Sequence, residues 1–354
     1  MWHRPYDKSA LKEYCKPEGE RGLCEHDGHI NLSVPNEELQ LYRGGEAPLE
    51  VQASSDRHKN KKILRIPPRR LAFCGGGIRC VAHVGVLKAL ERHNLLRCVK
   101  EVTGISAGAF FSLLFSLQYT LDQIERLSLE MDFTVLGNIE PEDILLFPLT
   151  FGLNSGESIE RLIASVLRQK GFSDDITFGE LYKKIPIGLR CYATELQTSK
   201  IKEFSARHTP QTKVVTGVRA SMAFPLMYSP VKDGESLLVD GGLLHNLPLV
   251  FLTEEEVHET LGVFFTVEPS VITKPVDDML ELFKYMYDAA IIMRNRPYIK
   301  KYKERIILIN TPDFNALDFS ETRDKRVSLI EMAFKSTEEF LMNSTVPNRR
   351  FSVS

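Results

Sequence analysis

Ser106 stands between Gly104 and Gly108 in VTGISAGAFF, a G-x-S-x-G spacing. An apolar run ends just before it, and an apolar stretch of helical character begins just after. In that context a serine is lifted onto a sharp strand-to-helix turn, with its hydroxyl exposed for attack on a carbonyl. Small neighbours let the chain turn tightly, and the N-terminus of the following helix adds partial positive charge. The chemistry would be nucleophilic acyl transfer; an ordinary Ser-Gly turn is the competing reading.

Upstream, CGGGIRC (Cys74–Cys80) sets Gly75, Gly76 and Gly77 between RRLAF and VAHVGVLKALERHN. A glycine loop at a strand–helix junction leaves backbone N–H groups free to hold negative charge. Either a nucleotide phosphate or the oxyanion of an acyl transfer would fit. A dinucleotide fingerprint needs G-x-G-x-x-G, and Cys80 occupies its last glycine position. Apart from Glu101, no acid closes a βαβ unit at the expected distance, and the Gly-Lys-Ser/Thr of a Walker loop is absent. The oxyanion explains the loop better, if this turn and the serine turn meet at the carboxyl ends of neighbouring parallel strands. A serine also needs a base. LLVDGGLLHNLP offers Asp240, at the end of an apolar run and freed by Gly241 and Gly242. Alone, an Asp-Gly turn is the commoner meaning of that stretch.

These residues must be positioned by an alternation of strands and helices that begins near residue 69. RLAFC, CVKEVTG, IPIGLRCYATEL, LLVDGG, LGVFFTV and RIILINT have the composition of strands. The 81–93 stretch, AGAFFSLLFSLQ continuing into LDQIERLSLEMD, MLELFKYMYDAAIIM and TRDKRVSLIEMAFKSTEEFL have helical periodicity. GLNSGESIERLIASVLRQKG adds a helix with Asn154 as its cap, Glu157 three residues on and Gly171 at its end. Thr177 and Glu180 form a capping-box pattern. Alternating elements of this kind imply an α/β fold with a mostly parallel sheet covered on both faces.

The chain has 354 residues, 43% of them hydrophobic, enough for one large domain or two modest ones. A net charge of -2 gives no general case for nucleic acid. AFFSLLFSL is broken by serines and far shorter than the roughly 20 residues of a membrane span. The N-terminus lacks the apolar core of a secretory signal, so a soluble, cytoplasmic protein is expected. Six scattered cysteines point to reduced thiols. Cys15 and Cys24 lie near His26 and His29, but the spacing is not that of a common zinc finger. RHKNKKILRIPPRR (Arg57–Arg70) carries seven cations and no acid. It reads as a solvated linker or as a patch for anionic membrane surfaces.

In order, GGGIRC, GISAG and DGG resemble the glycine-rich loop, serine elbow and aspartate motif of the patatin-like phospholipases. VRASMAFPLMYSPV, the HNLP after DGG, and NALDFS strengthen the resemblance, which spans about residues 69–345. It leaves 1–68 as an N-terminal extension and 346–354 as a tail. It implies a three-layer α/β/α domain and a Ser–Asp dyad: Ser106 the nucleophile, Asp240 the general base. Gly75, Gly76, Gly77 and Ala107 would supply the oxyanion hole, and Arg79 would orient the loop or a lipid headgroup. Gly104, Gly108, Gly241 and Gly242 would support the turns. Cys80 departs from the family glycine and should affect packing at the helix start more than the donor amides. The substrate implied is a phospholipid or neutral lipid at a membrane or droplet surface, with no cofactor, metal or nucleic acid. Two alternatives stay open: a histidine-based α/β-hydrolase esterase or triacylglycerol lipase, and a catalytically silent lipid-binding module. After Ser106 the only histidines are His208, His245 and His258.

Overall fold

The structure, a computed structural model, describes residues 67–266, 279–311 and 314–343. The Cys15/Cys24/His26/His29 group, the basic run up to Ile66 and the tail lie outside the described residues.

β1 (Arg70–Phe73) leads through the glycine loop and a 3-10 turn into α1 (Ala82–Arg92). β2 (Glu101–Ile105) feeds α2 (Ala107–Ser116), with Ser106 between them. Next come α3 (Leu121–Glu130), α4 (Thr134–Gly137), α5 (Pro141–Thr150), β3 (Gly152–Asn154), α6 (Glu157–Gln169) and α7 (Phe178–Lys184). β4 (Gly188–Glu195) precedes β5 (Lys200–Ser205), α8 (Val214–Ser221), β6 (Leu226–Tyr228), β7 (Val231–Asp233) and β8 (Ser236–Asp240). α9 (Glu254–His258), β9 (Thr260–Thr266), α10 (Met279–Lys301), β10 (Ile306–Asn310) and α11 (Arg323–Asn343) complete the set.

β10, β9, β1, β2 and β4 lie side by side and parallel, in that order. Helices flank this sheet to make the expected three-layer α/β/α fold. β4 is the strand on which the rest is registered. One of its edges pairs antiparallel with β5 from Arg190 to Glu195. A strand edge can satisfy one partner at each position, so β2 and β8 must share the other edge. β2 occupies it up to Ile105 opposite Tyr192. β8 arrives antiparallel and ends with Asp240 opposite Ala193. The two strands therefore meet end to end, one residue apart along β4. The β3–β6 pair forms a separate two-stranded sheet.

Local signals behave largely as their chemistry dictates. Thr177 and Glu180 form the reciprocal capping box, and Gly171, with φ 77°, closes α6. Two expectations need correction. Asn154 belongs to β3, and the N-cap of α6 is Gly156, whose amide donates to Asn154 Oδ1 at 2.7 Å. Glycine is required at that cap because its φ is +79° and a Cβ would lie 1.9 Å from the Arg219 guanidinium. The helix after Ser106 also does not run on through LDQIERL. It stops at Ser116, and α3 restarts behind a Thr120/Gln123 capping box. Among the described residues, no helix is long and apolar enough to cross a membrane.

Candidate active site

The end-to-end meeting of β2 and β8 brings the two candidate reactive side chains together. Ser106 has φ 56° and ψ −135°, a conformation that non-glycine residues rarely adopt. Holding it costs on the order of 1–3 kcal/mol, offset by neighbours that leave no alternative path. Its amide donates to Ser221 Oγ at 3.0 Å, from the end of α8. A Cβ on Gly104 would lie 2.2 Å from the Gly108 carbonyl oxygen. A Cβ on Gly108 would sit 2.4 Å from the carbonyl oxygens of both Phe73 and Cys74. The two elbow glycines thus let the first turn of α2 fold back over β2 and press against the end of β1.

Asp240 is 1% exposed. Its amide donates to the Ala223 carbonyl at 2.8 Å, and its carbonyl accepts from Thr194 Oγ1 at 3.1 Å. Oδ1 accepts from the Gly242 amide at 2.8 Å. Burial pushes the carboxyl up to about 7, against smaller opposing effects from the Ser106 hydroxyl and the Gly242 amide. Oδ2 makes no hydrogen bond among the described residues, while the Ser106 hydroxyl beside the carboxyl favours its ionised form. Resting active sites commonly show such loose pairs.

The glycine loop lies beside this pair. Gly77 has φ +54°, and a Cβ there would overlap the Ala316 carbonyl oxygen at 1.8 Å. The Gly75 amide donates to Asn246 Oδ1 at 2.9 Å, and Asn246 Nδ2 donates back to the Gly75 carbonyl at 3.0 Å. This corrects one expectation: Gly75 fixes the loop and has no amide left for an oxyanion. The amides of Gly76, Gly77 and Ala107 make no hydrogen bond among the described residues. Arg79, mostly buried, reaches the Gly76 carbonyl with Nε at 3.4 Å.

Cys80 turns inward at the start of the loop helix. Its thiol is 3.5 Å from the Cys74 carbonyl, which also receives His83 Nε2 at 3.1 Å. Burial holds the Cys80 thiol well above its ordinary range and pushes His83 down to about 3. Both are neutral packing groups, and Cys80 is not among the residues that line the pocket beside Ser106 and Asp240.

Ser106, Asp240, Gly76, Gly77, Ala107 and Arg79 all line one pocket. Its walls are apolar, among them Phe110, Phe111, Leu114, Leu127, Ile159 and Leu162. Gly241 and Gly242 lie behind Asp240: a Cβ on Gly241 would be 2.5 Å from the Tyr192 carbonyl oxygen, and one on Gly242 2.8 Å from the Tyr287 hydroxyl. No described histidine lines the pocket. His208 faces Glu203, and His245 packs edge-on against Phe251 and Tyr298.

Sequence reasoning did not single out Asn246 and Ser221, the residues that clamp the glycine loop and the elbow. Both sit inside stretches with a signal, HNLP and VRASMAFP. Only the fold reveals that their side chains bond backbone 171 and 115 residues away.

An α/β sheet carrying a serine elbow, a glycine loop and a buried aspartate at one pocket defines a class, and the sequence comparisons agree with it. The family model described as patatin-like phospholipase matches residues 71–252. YqhO, an uncharacterized protein of Bacillus subtilis strain 168, is 30% identical over 294 residues, covering 77% of this chain and 98% of that protein. Probable lipid hydrolase 463L of Invertebrate iridescent virus 6 is 25% identical over 205 residues, 55% of this chain and 67% of that protein. In fold, VipD from Legionella pneumophila superposes with a TM-score of 0.54 at 17% identity, covering 81% of this chain and 71% of that one. The chain belongs to the patatin-like phospholipase family.

Proposed function

We propose that the protein is a lipid acyl hydrolase of the phospholipase A type, working through a Ser106–Asp240 dyad. The observation that carries this reading is the buried Asp240 carboxyl, raised to about 7 beside a serine held on a strained turn at the base of an apolar pocket. An aspartate in water, near 3.9, is a poor base; one near neutrality can take a proton from a hydroxyl it touches.

Ser106 Oγ attacks the ester carbonyl of a bound acyl lipid as its proton passes to Asp240. The carbonyl oxygen becomes an oxyanion, facing the Gly76 and Gly77 amides and that of Ala107 at the N-terminus of α2. Collapse breaks the ester C–O bond, and the proton on Asp240 goes to the departing alcohol. Water then attacks the acyl-serine, its proton again taken by Asp240, and the released Oγ recovers that proton as the fatty acid leaves. The aromatic and aliphatic walls favour an acyl chain over a polar substrate. The name of the viral relative, a probable lipid hydrolase, supports the same substrate class.

Ser106→Ala and Asp240→Asn should each abolish hydrolysis of phospholipid and of soluble esters while leaving the fold intact. A fluorophosphonate should label the parent and not Ser106→Ala. His208→Gln, His245→Gln and His258→Gln should each stay within about threefold of the parent, well short of the thousandfold loss that removing a base worth ~4 kcal/mol would bring. Full turnover by folded Ser106→Ala would remove the mechanism.

A further inference from the structure

α10 is apolar on two opposite faces. Phe283, Tyr287, Ile291 and Asn295 form the inward stripe: Phe224 packs on Phe283 and Tyr287 with ring centroids 6.1 and 4.8 Å away, and Asn295 is fully buried. The outward stripe, Leu282, Met286, Ala289 and Met293, is solvent-facing, with Met286 63% and Met293 65% exposed. At the same spacing it continues into Arg296 and Lys300, both exposed. α5 is odder still. It contains ILLFPL yet has no buried residue, and Leu145 and Leu149 are 80% and 76% exposed. A surface helix ordinarily keeps one polar face, and exposed apolar patches of this kind mark interaction sites.

Both patches adjoin elements that line the pocket. Leu136 of α4, Phe224 and Tyr228 at β6, and Ile291 and Ile292 of α10 line that pocket. Beside each lies an exposed apolar neighbour: Val135, Leu226 and Met293. α5 joins the rim through Phe151, also exposed, and through Gly152, which pairs with Leu226. Apolar residues thus continue from the lining of the pocket to exposed positions beside it.

We propose that α5 and the outward stripe of α10 form a lipid-surface docking face, seated in the acyl region of a bilayer with Arg296 and Lys300 at the level of the lipid phosphates. This rests on the reading of the pocket as an acyl-lipid site. A chain drawn from the bilayer then passes from one apolar environment to another without crossing water.

Trp2 is the single native tryptophan, so a Trp2→Phe background is spectroscopically clean. In it, Leu149→Trp and Met293→Trp should each blue-shift on addition of phosphatidylcholine vesicles and be quenched by brominated lipid. Leu145→Glu with Leu149→Glu, and Met286→Glu with Met293→Glu, should weaken vesicle partitioning more than about tenfold, since each pair loses two apolar contacts with the acyl region and sets two charges there. Turnover of a soluble short-chain ester should stay within about twofold of the parent. If the glutamate pairs fail to fold, the apolar tryptophan variants still decide the matter. Tryptophans that remain water-exposed on vesicles, or glutamate variants that partition like the parent, would overturn the docking face. So would a dimer of the parent that the glutamate variants dissolve without any change in partitioning. Partitioning lost in the glutamate variants, with no ester hydrolysis by any variant or the parent, would uphold the face and reject the hydrolase reading instead.

Discussion

Asp240 carries an opposition between stability and reactivity. Its folded pKa, about 7, lies above the ordinary 3.8, so the folded state holds the proton more tightly than the unfolded chain. Stability is therefore fully present below the ordinary value and declines as pH rises through about 7, by on the order of 4 kcal/mol in all. Asp240→Asn, which never ionises, should be more resistant to urea than the parent at pH 8, and the advantage should vanish by pH 4. Under the proposed mechanism the same ionisation is what proton abstraction requires, so kcat/KM of the parent should climb with pH and level off above about 7. Cys80 gives a simpler expectation. Cys80→Gly leaves the proposed donor amides untouched and removes a buried side chain, so turnover should persist while urea stability falls by about 1–3 kcal/mol. At this scale the three candidate motifs were legible, because each needs particular residue types at fixed local spacing. Asn246 and Ser221 were not, because their partners lie on distant strands. The assignment of Gly75 failed for the same reason: Asn246 engages its amide.

Among the elements, strands β1, β2, β4, β8, β9 and β10 and the long helices were legible from periodicity and caps. Short pieces were not. β3 and β6 are three residues each, with too little sequence to show a period. α6 was placed, but its cap was misread, because Asn154 has a preferred cap side chain while Gly156 is fixed by the guanidinium of Arg219. That arginine, 2% exposed, donates to the carbonyls of Ser155, Gly156 and Ser229 and so ties α6 to the β6 region. Glycine also decides how helices cross. A Cβ on Gly85 of α1 would lie 2.0 Å from the Ile330 carbonyl oxygen of α11. Gly85→Ala should force the two helices apart and cost at least about 1–3 kcal/mol in urea unfolding, with the elbow and glycine loop otherwise unchanged.

Over the whole molecule, the described end of the basic run, Arg69 and Arg70, and the pocket fall at opposite ends of the sheet. Arg70 pairs with Glu101 at 3.0 Å and Glu259 at 2.9 Å, and Arg69 reaches Glu259 at 3.8 Å. The two described members of the run are thus engaged at the strands' N-terminal edge, while Ser106 and Asp240 lie beyond C-terminal ends. An anionic-surface role for Arg57–Arg70 has to rest on its remaining cations. β4, finally, works as a ruler. It measures β2 against Tyr192 and β8 against Ala193, so a slip of either strand by one residue would displace its reactive group by about 3.4 Å and turn it to the opposite face. Alignment of the proposed dyad is then an all-or-none property of each folded molecule. Covalent labelling of Ser106 would count correctly assembled copies in a preparation, and the labelled fraction, more than the specific activity, would report how faithfully the sheet was built.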